Sequence, residues 1–426
     1  MRSYSVARIE RHLEQTAILL YIFRIIKMAL TKKVNVVVLF ALLALAVLAY
    51  VNRARILITC TQEIVNLERA GSLEKLRGGN VDMSSIDETK VSSLAKMLQE
   101  RLDLITEGKW PKRNLICEDI NSTAPCKSRT PCARPWETRT HQQRVRELLT
   151  LPRLQLSPAQ LDSILKLSEK IPEKDLIIAS AISSNHFDEM QSMFQNLHEI
   201  VYPRIKNFHM VLFDIGLSPL QRNITQKNCR CQIVKFNFDL FPPHVSDIRC
   251  YSWKPIIFRA VIAKARKLFV YQDSSIRWST EFPKVFERAL KYGQQTVAPM
   301  YGDNVPSNSM KQTLDYLNED VCAMRQFEEM QAGIQMNRHD NLVIEALLNP
   351  WAKCALEDSC ICPIKPSAVI RCTGQHLHRC HRFDQSAFNT LMAKLYGSER
   401  YKMSVPLDLH PLKIMRGDRN STYFKK

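Results

Sequence analysis

Downstream of residue 175, short apolar runs alternate with longer stretches in which apolar side chains recur every third or fourth position. The runs at 176–182, 208–213, 232–236 and 268–271 read as buried strands. Between them, 186–200 places Met190, Met193, Phe194 and Leu197 on one helical face, and 253–264 reads as another helix. Ser218-Pro219 opens a third, with serine as cap and proline at the first helical position. A further strand is expected at 295–299. Strands separated by helices pair in parallel through right-handed crossovers. The expected fold is α/β, a mostly parallel sheet flanked by helices.

Upstream the rhythm differs. Residues 34–51 form one uncharged apolar run long enough to cross a bilayer as a helix, with Asn35 its one polar interruption. Arg24, Lys27, Lys32 and Lys33 precede it, against Arg53 and Arg55 just after. That asymmetry keeps the N-terminus cytoplasmic and sends the rest of the chain across the membrane, as a type II signal-anchor. Cleavage after Ala44-Leu45-Ala46 competes with this reading, although the triplet lies inside the run rather than after it. The apolar segment 16–30, broken by Arg24 and Lys27, reads as an interfacial piece or as sequence ahead of a start at Met28.

Past the anchor, 84–107 carries Ile86, Val91, Leu94, Ala95, Leu98, Leu102 and Ile105 at helical spacing. Cys117, Cys126 and Cys132 among prolines mark an irregular, disulfide-tied segment, and Ser157-Pro158 opens a helix running to about 170. The chain thus divides into a cytoplasmic tail (1–33), an anchor (34–51), a lumenal stem (52–174), a catalytic body (175–400) and a C-terminal tail (401–426).

Composition sharpens the compartment. The 426 residues are 45% hydrophobic with only 11 glycines, which fits a globular body. Asn121, Asn223 and Asn420 open glycosylation triplets, and all 13 cysteines lie beyond the span, as an oxidising lumen favours. Cys60 is the odd cysteine and is a candidate for a disulfide-linked homodimer. The net charge of +18 would suggest nucleic acid, but a lumenal location excludes it and leaves surface solvation or anionic ligands such as nucleotide diphosphates.

Three segments carry candidate chemistry. Asp273, in Asp273-Ser274-Ser275, falls just past the C-terminal end of the 268–271 strand, where open α/β sheets bind ligands. An acid there holds a cation against a phosphorylated ligand, or is simply a polar turn. Lys254, in Tyr251-Ser252-Trp253-Lys254-Pro255, starts a helix. Asp384 and Gln385, in His381-Arg382-Phe383-Asp384-Gln385-Ser386-Ala387-Phe388-Asn389, open the helix through Leu391 and Leu395, where Asp384 caps it, faces a pocket, or does both.

On these residues the chain resembles the GT-A superfamily of glycosyltransferases, over about 175–397, and in particular a family of Golgi transferase-like type II membrane proteins. The resemblance implies a nucleotide-diphospho-sugar transferase fold, a UDP-linked sugar donor and a glycan or glycoprotein acceptor. It implies Asp273 as the ligand of Mn2+ or Mg2+, with Ser275 where the metal motif carries its second acid. It places Lys254 on the donor diphosphate, Ser180, Ser183 and Asn185 near the base, and Asp384 with Gln385 on the sugar. Phe388 replaces the leucine of that last motif, and His410 lacks the glycine and tryptophan expected beside it, so it is not assigned to the metal. A non-catalytic lumenal binding protein of the same fold is the rival, supported by Ser275. A sulfotransferase would need a phosphate-cradling loop, and 179–185 has no glycine.

Cys354, Cys360, Cys362, Cys372 and Cys380 lie close to His376, His378 and His381. The spacings lack paired Cys-x2-Cys knuckles, which leaves zinc as the weaker alternative to disulfides pinning the loop before Asp384.

Overall fold

The first expected strand is buried over its last seven residues, as befits a central strand covered on both faces. It is β1 (Lys174–Ser183), followed by β2 (His209–Gly216), β3 (Gln232–Lys235), β4 (Ala265–Gln272), β5 (Gln294–Thr296) and β6 (Ile334–Arg338). These come from a computed structural model that describes residues 87–110, 139–296, 299–366, 372 and 380–425, with the backbone of strands Ile116–Cys117 and Thr130–Pro131. The expected anchor at 34–51, the segment 16–30, Cys60 and Asn121 lie outside the described residues. Among the described residues no helix is long and apolar enough to cross a membrane.

The six strands form one mixed sheet in the order β3-β2-β1-β4-β6-β5. β1 pairs in parallel with β2 and β4, and β2 with β3. β6 runs antiparallel to both β4 and β5. The chain steps outward from β1 to β3, then returns to the other flank of β1 as β4. That reversal is the topological switch point at which α/β sheets open a crevice.

Helices cover both faces, so the fold is α/β with a central sheet. One face buries Ile177, Ala179, Phe213, Phe269 and Tyr271 against α1 (Glu88–Leu104), α2 (His141–Thr150) and α3 (Pro158–Lys166). The other packs Ile178, Leu212, Val270 and Met336 against α4 (Phe187–Asn196). Further along the chain lie α5 (Pro219–Asn228), α6 (Trp253–Ile262) and α7 (Asp384–Tyr396), the last two on the first face. Ser157 and Ser218 form the expected caps of α3 and α5, each completed as a capping box by a glutamine.

The described parts of the segments assigned to a stem (87–110 and 139–174) and a tail (401–425) take part in this body. Val91, Leu98 and Leu102 of α1 are fully buried in the same core as the sheet, and Arg101 reaches Asp340 at 3.0 Å. The described residues belong to one compact unit that begins at Ile86, not at 175. At the other end, Leu412–Ile414 pairs antiparallel with Ile276–Trp278, and Phe424 packs on Phe194. An amphipathic helix with no sheet of its own needs a partner, and here that partner is the sheet-bearing body.

Candidate active site

A cleft of about 540 Å³ opens at the switch point. Asn185 and His186 enter it from just past β1, and Asp273, Ser274 and Ser275 from just past β4. Lys254 comes from the first turn of α6 and Asp384 from the first residue of α7. Four elements, from three regions of the chain, thus place their chemistry at one edge of the sheet.

Every residue of α6 is buried, Lys254 among them. A buried ammonium costs on the order of several kcal/mol unless it is paired. Lys254 Nζ lies 3.0 Å from Asp273 Oδ1 and 3.3 Å from Asp384 Oδ2, and stands 5.0 Å over the Tyr271 ring. Burial alone would lower the lysine pKa, but the two carboxylates outweigh it and hold the ammonium above its ordinary value. Asp384 moves the other way: burial first, with Asp273 adding to it, lifts its pKa to about 6 against the pull of Lys254. A carboxyl so placed exchanges its proton near neutrality.

Two residues flanking this trio, Tyr251 and Phe383, have left-handed backbones, at φ 53° and 49°. Neither is glycine, so the surrounding structure must hold them there. The Cys250–Cys362 disulfide anchors the first, and the indole N–H of Trp351 donates to the Asp384 carbonyl at 3.1 Å beside the second.

Below the turn, Glu189 of α4 ties three segments together. It accepts from Ser274 Oγ at 2.5 Å, from His186 Nδ1 at 3.1 Å and from the Gly417 amide at 3.0 Å. Burial would raise this carboxyl, but those bonds bring it down to about 2. The same bond lifts His186 above its ordinary value against the effect of burial. Asp273 is seated from the other side by Gly333, whose carbonyl accepts the Asp273 amide at 2.7 Å. A Cβ at 333 would stand 3.0 Å from Asp273 Oδ2.

Of the residues singled out in the sequence, Asp273, Ser275, Lys254, Asn185, Asp384 and Gln385 all line the cleft. Ser180 does not: it is fully buried within β1, one residue short of Ala181, Ile182 and Ser183, which do line the cleft. Gln385 lines the wall, but its amide donates to buried Glu329 at 2.7 Å and accepts from the Ala332 amide at 3.3 Å. Asn389 of the same motif holds the Met330 amide and carbonyl at 2.7 and 2.8 Å. His410 is not among the lining residues. The zinc alternative gives way to disulfides, Cys354–Cys360, Cys250–Cys362 and Cys372–Cys380, and His381 is bonded through its ring to the Ile361 carbonyl and the Met310 amide.

The divalent ion implied by the resemblance needs several oxygen ligands. Asp273 is the one carboxylate of the turn; its Oδ1 is held by Lys254 and its Oδ2 packs on Gly333. Both oxygens of Glu189 are already engaged. Among the described residues no group of three or more His, Cys, Asp or Glu side chains is arranged to hold a metal. Among the described residues the side chains alone do not complete a donor set for Mn2+ or Mg2+, and Asp273 is the one carboxylate of the turn that an ion bridging to a phosphate would share.

The sequence reading missed Glu189, His186, Gly333, Tyr251, Arg416 and Gly417. A capless helix start at His186 carrying an acid three residues on is the one local signal that marks the first two.

A family model described as a protein of unknown function (DUF1647) matches residues 142–259, less than half of the chain. No curated protein matches it. Among solved structures the chain is similar to glycosyltransferases. The bifunctional glycosyltransferase WbbM, in its apo form, shares 11% identity at a TM-score of 0.34, over 56% of this chain. The match takes in 40% of WbbM, so the chain spans well under two thirds of it. The galactosyltransferase LgtC, in complex with donor and acceptor sugar analogues, shares 12% at 0.31, over 57% of this chain and 87% of LgtC. Core-mannan synthase A from Aspergillus fumigatus, in its Mn/GDP form, shares 6% at 0.30, over 57% of this chain and 75% of its own. Likeness this slight carries no weight for activity, and the cleft's own residues must.

Proposed function

We propose that the cleft binds a nucleotide sugar, UDP-linked in the first instance, and transfers the sugar to a hydroxyl of a glycan or glycoprotein. In this reading the body is lumenal in the Golgi and 34–51 is its membrane anchor. One observation carries the proposal: Lys254, buried at the switch point of an α/β sheet, bridges Asp273 and Asp384 inside the cleft. A fixed ammonium at the carboxyl ends of the strands stabilises the negative charge that grows on a departing diphosphate. Asp384, lifted to about 6, takes the proton of the acceptor hydroxyl or holds the sugar in line. Gln385 sets the wall behind them through Glu329.

A panel of UDP- and GDP-sugars, with nucleotide release as readout, tests this. Release by the wild type that disappears in Asp384→Asn supports transfer. Release from no donor, with no nucleotide bound, removes the proposal. The commitment of the Gln385 amide to protein groups favours a second reading, a non-catalytic lumenal protein that binds such ligands. Nucleotide binding without turnover on any donor would select it.

A further inference from the structure

We infer that the cleft holds a nucleoside diphosphate with the protein's own cations, Arg416 foremost, and needs no divalent ion. The inference rests on the nucleotide reading above and goes beyond it. Four permanent cations line the cleft, Arg249, Lys254, Arg382 and Arg416, against three carboxylates, Glu189, Asp273 and Asp384. The acids are already spoken for: Asp273 and Asp384 by Lys254, Glu189 by Ser274, His186 and the Gly417 amide.

Arg416 stands apart from the other cations. Arg249 is paired with Asp247 at 2.8 Å and Lys254 with its two carboxylates. Arg416 has no carboxylate partner among the described residues, only a 3.4 Å contact with Gln331 Oε1 at the exposed side of the cleft. Its backbone is nevertheless fixed. Met415 donates to the Ser275 carbonyl at 2.7 Å and Gly417 to Glu189 at 3.0 Å, so Arg416 is strung across the Asp273 turn. A planar guanidinium carried on a fixed backbone, with no carboxylate partner among the described residues, suits a phosphate oxygen pair. In protonated form His186, its Nδ1 bonded to Glu189, would present Nε2–H to the same ligand.

The two alternatives differ in what Asp273 does. If a divalent ion bridges Asp273 to the diphosphate, Asp273→Asn removes the binding that Mn2+ supports. If the protein's cations suffice, Asp273 acts only through its pairing with Lys254, and Asp273→Asn shifts affinity equally in EDTA and in Mn2+. The experiment is calorimetric titration of UDP and GDP into the full-length chain in mild detergent, in EDTA and in Mn2+. We expect affinities equal within about twofold in the two conditions. Arg416→Ala should weaken binding about tenfold or more, as loss of a charge-assisted phosphate contact implies, and Arg416→Lys should restore part of it. Arg416 is exposed, and melting curves check that each variant is folded. Binding that requires Mn2+ and is lost in Asp273→Asn overturns the inference and leaves the nucleotide reading standing. No binding of either nucleotide in either condition overturns both.

Discussion

The Lys254 ammonium lies 3.3 Å from the Asp384 carboxylate, although 130 residues separate them in the chain (384 − 254), and both are buried. Each makes the other tolerable. Lys254→Met leaves Asp384 and Asp273 facing each other with no cation between them. We expect a loss of about 3 kcal/mol of stability at neutral pH in urea unfolding, the usual cost of breaking a buried pair. Part of it should return at pH 5, where Asp384 takes up a proton, and donor turnover should vanish at both.

Asp384 has a raised pKa, about 6 in the folded chain against an ordinary carboxyl near ~4. Its favourable contribution to stability is therefore present below about 4 and is lost as pH rises through about 6. Asp384→Asn removes that loss, so the variant should gain on wild type between those values and hold the gain above them. Turnover should run the opposite way. If the carboxylate is the base, the wild-type rate rises through about pH 6 to a plateau, and Asp384→Asn stays inactive across the range.

Much of this site was legible in the sequence. Asp273 could be found because a buried strand ends just before it, and Lys254 because a helix begins there. The apolar runs supplied four of the six sheet strands and the strand expected at 295–299 overlaps β5, but nothing marked β6, whose Gln335 and Asn337 break any apolar run although both are fully buried. Without β6 nothing in the sequence marks Gly333 as the seat of Asp273. The commitment of Gln385 was equally hidden, because its partner Glu329 sits 56 residues away. Motifs name residue types; which way an amide turns is decided by the tertiary neighbours that happen to need it.

Gly333 offers a change that separates fold from site. Its substitution by alanine sets a methyl group 3.0 Å from Asp273 Oδ2, so the carboxylate must give way by a few tenths of an ångström. The backbone at 333 is not left-handed, which leaves the fold little reason to object. We expect Gly333→Ala to cost about 1 kcal/mol of stability. Turnover on the preferred donor should fall tenfold or more as the Lys254–Asp273 contact is displaced.

The Cys250–Cys362 disulfide closes a 112-residue separation and sits next to Tyr251, the left-handed residue that leads into α6. Replacing both cysteines with serine removes that constraint from the unfolded chain and frees the approach to Lys254. A loss of about 2–4 kcal/mol is expected in chemical denaturation. Nucleotide affinity should fall as well, which a merely stabilising crosslink far from the cleft would not cause.

Glu189 gives the last prediction, and it is one of pH. Its folded pKa is brought down to about 2 by the bonds from His186, Ser274 and Gly417, against an ordinary carboxyl near ~4.3. The stability it contributes is thus present above about 4.3 and lost as pH falls toward about 2. Glu189→Gln keeps the shape but gives up the charge and one acceptor, and should cost about 1.5–3 kcal/mol at pH 7. The difference between wild-type and variant stability should grow as pH falls through the range where His186 takes up its proton, hold level to about 4.5, then shrink steadily below it. A difference independent of pH down to 3 would show that Glu189 acts by packing rather than by charge. Its hold on Ser274 would then not be what keeps the Asp273 turn in place.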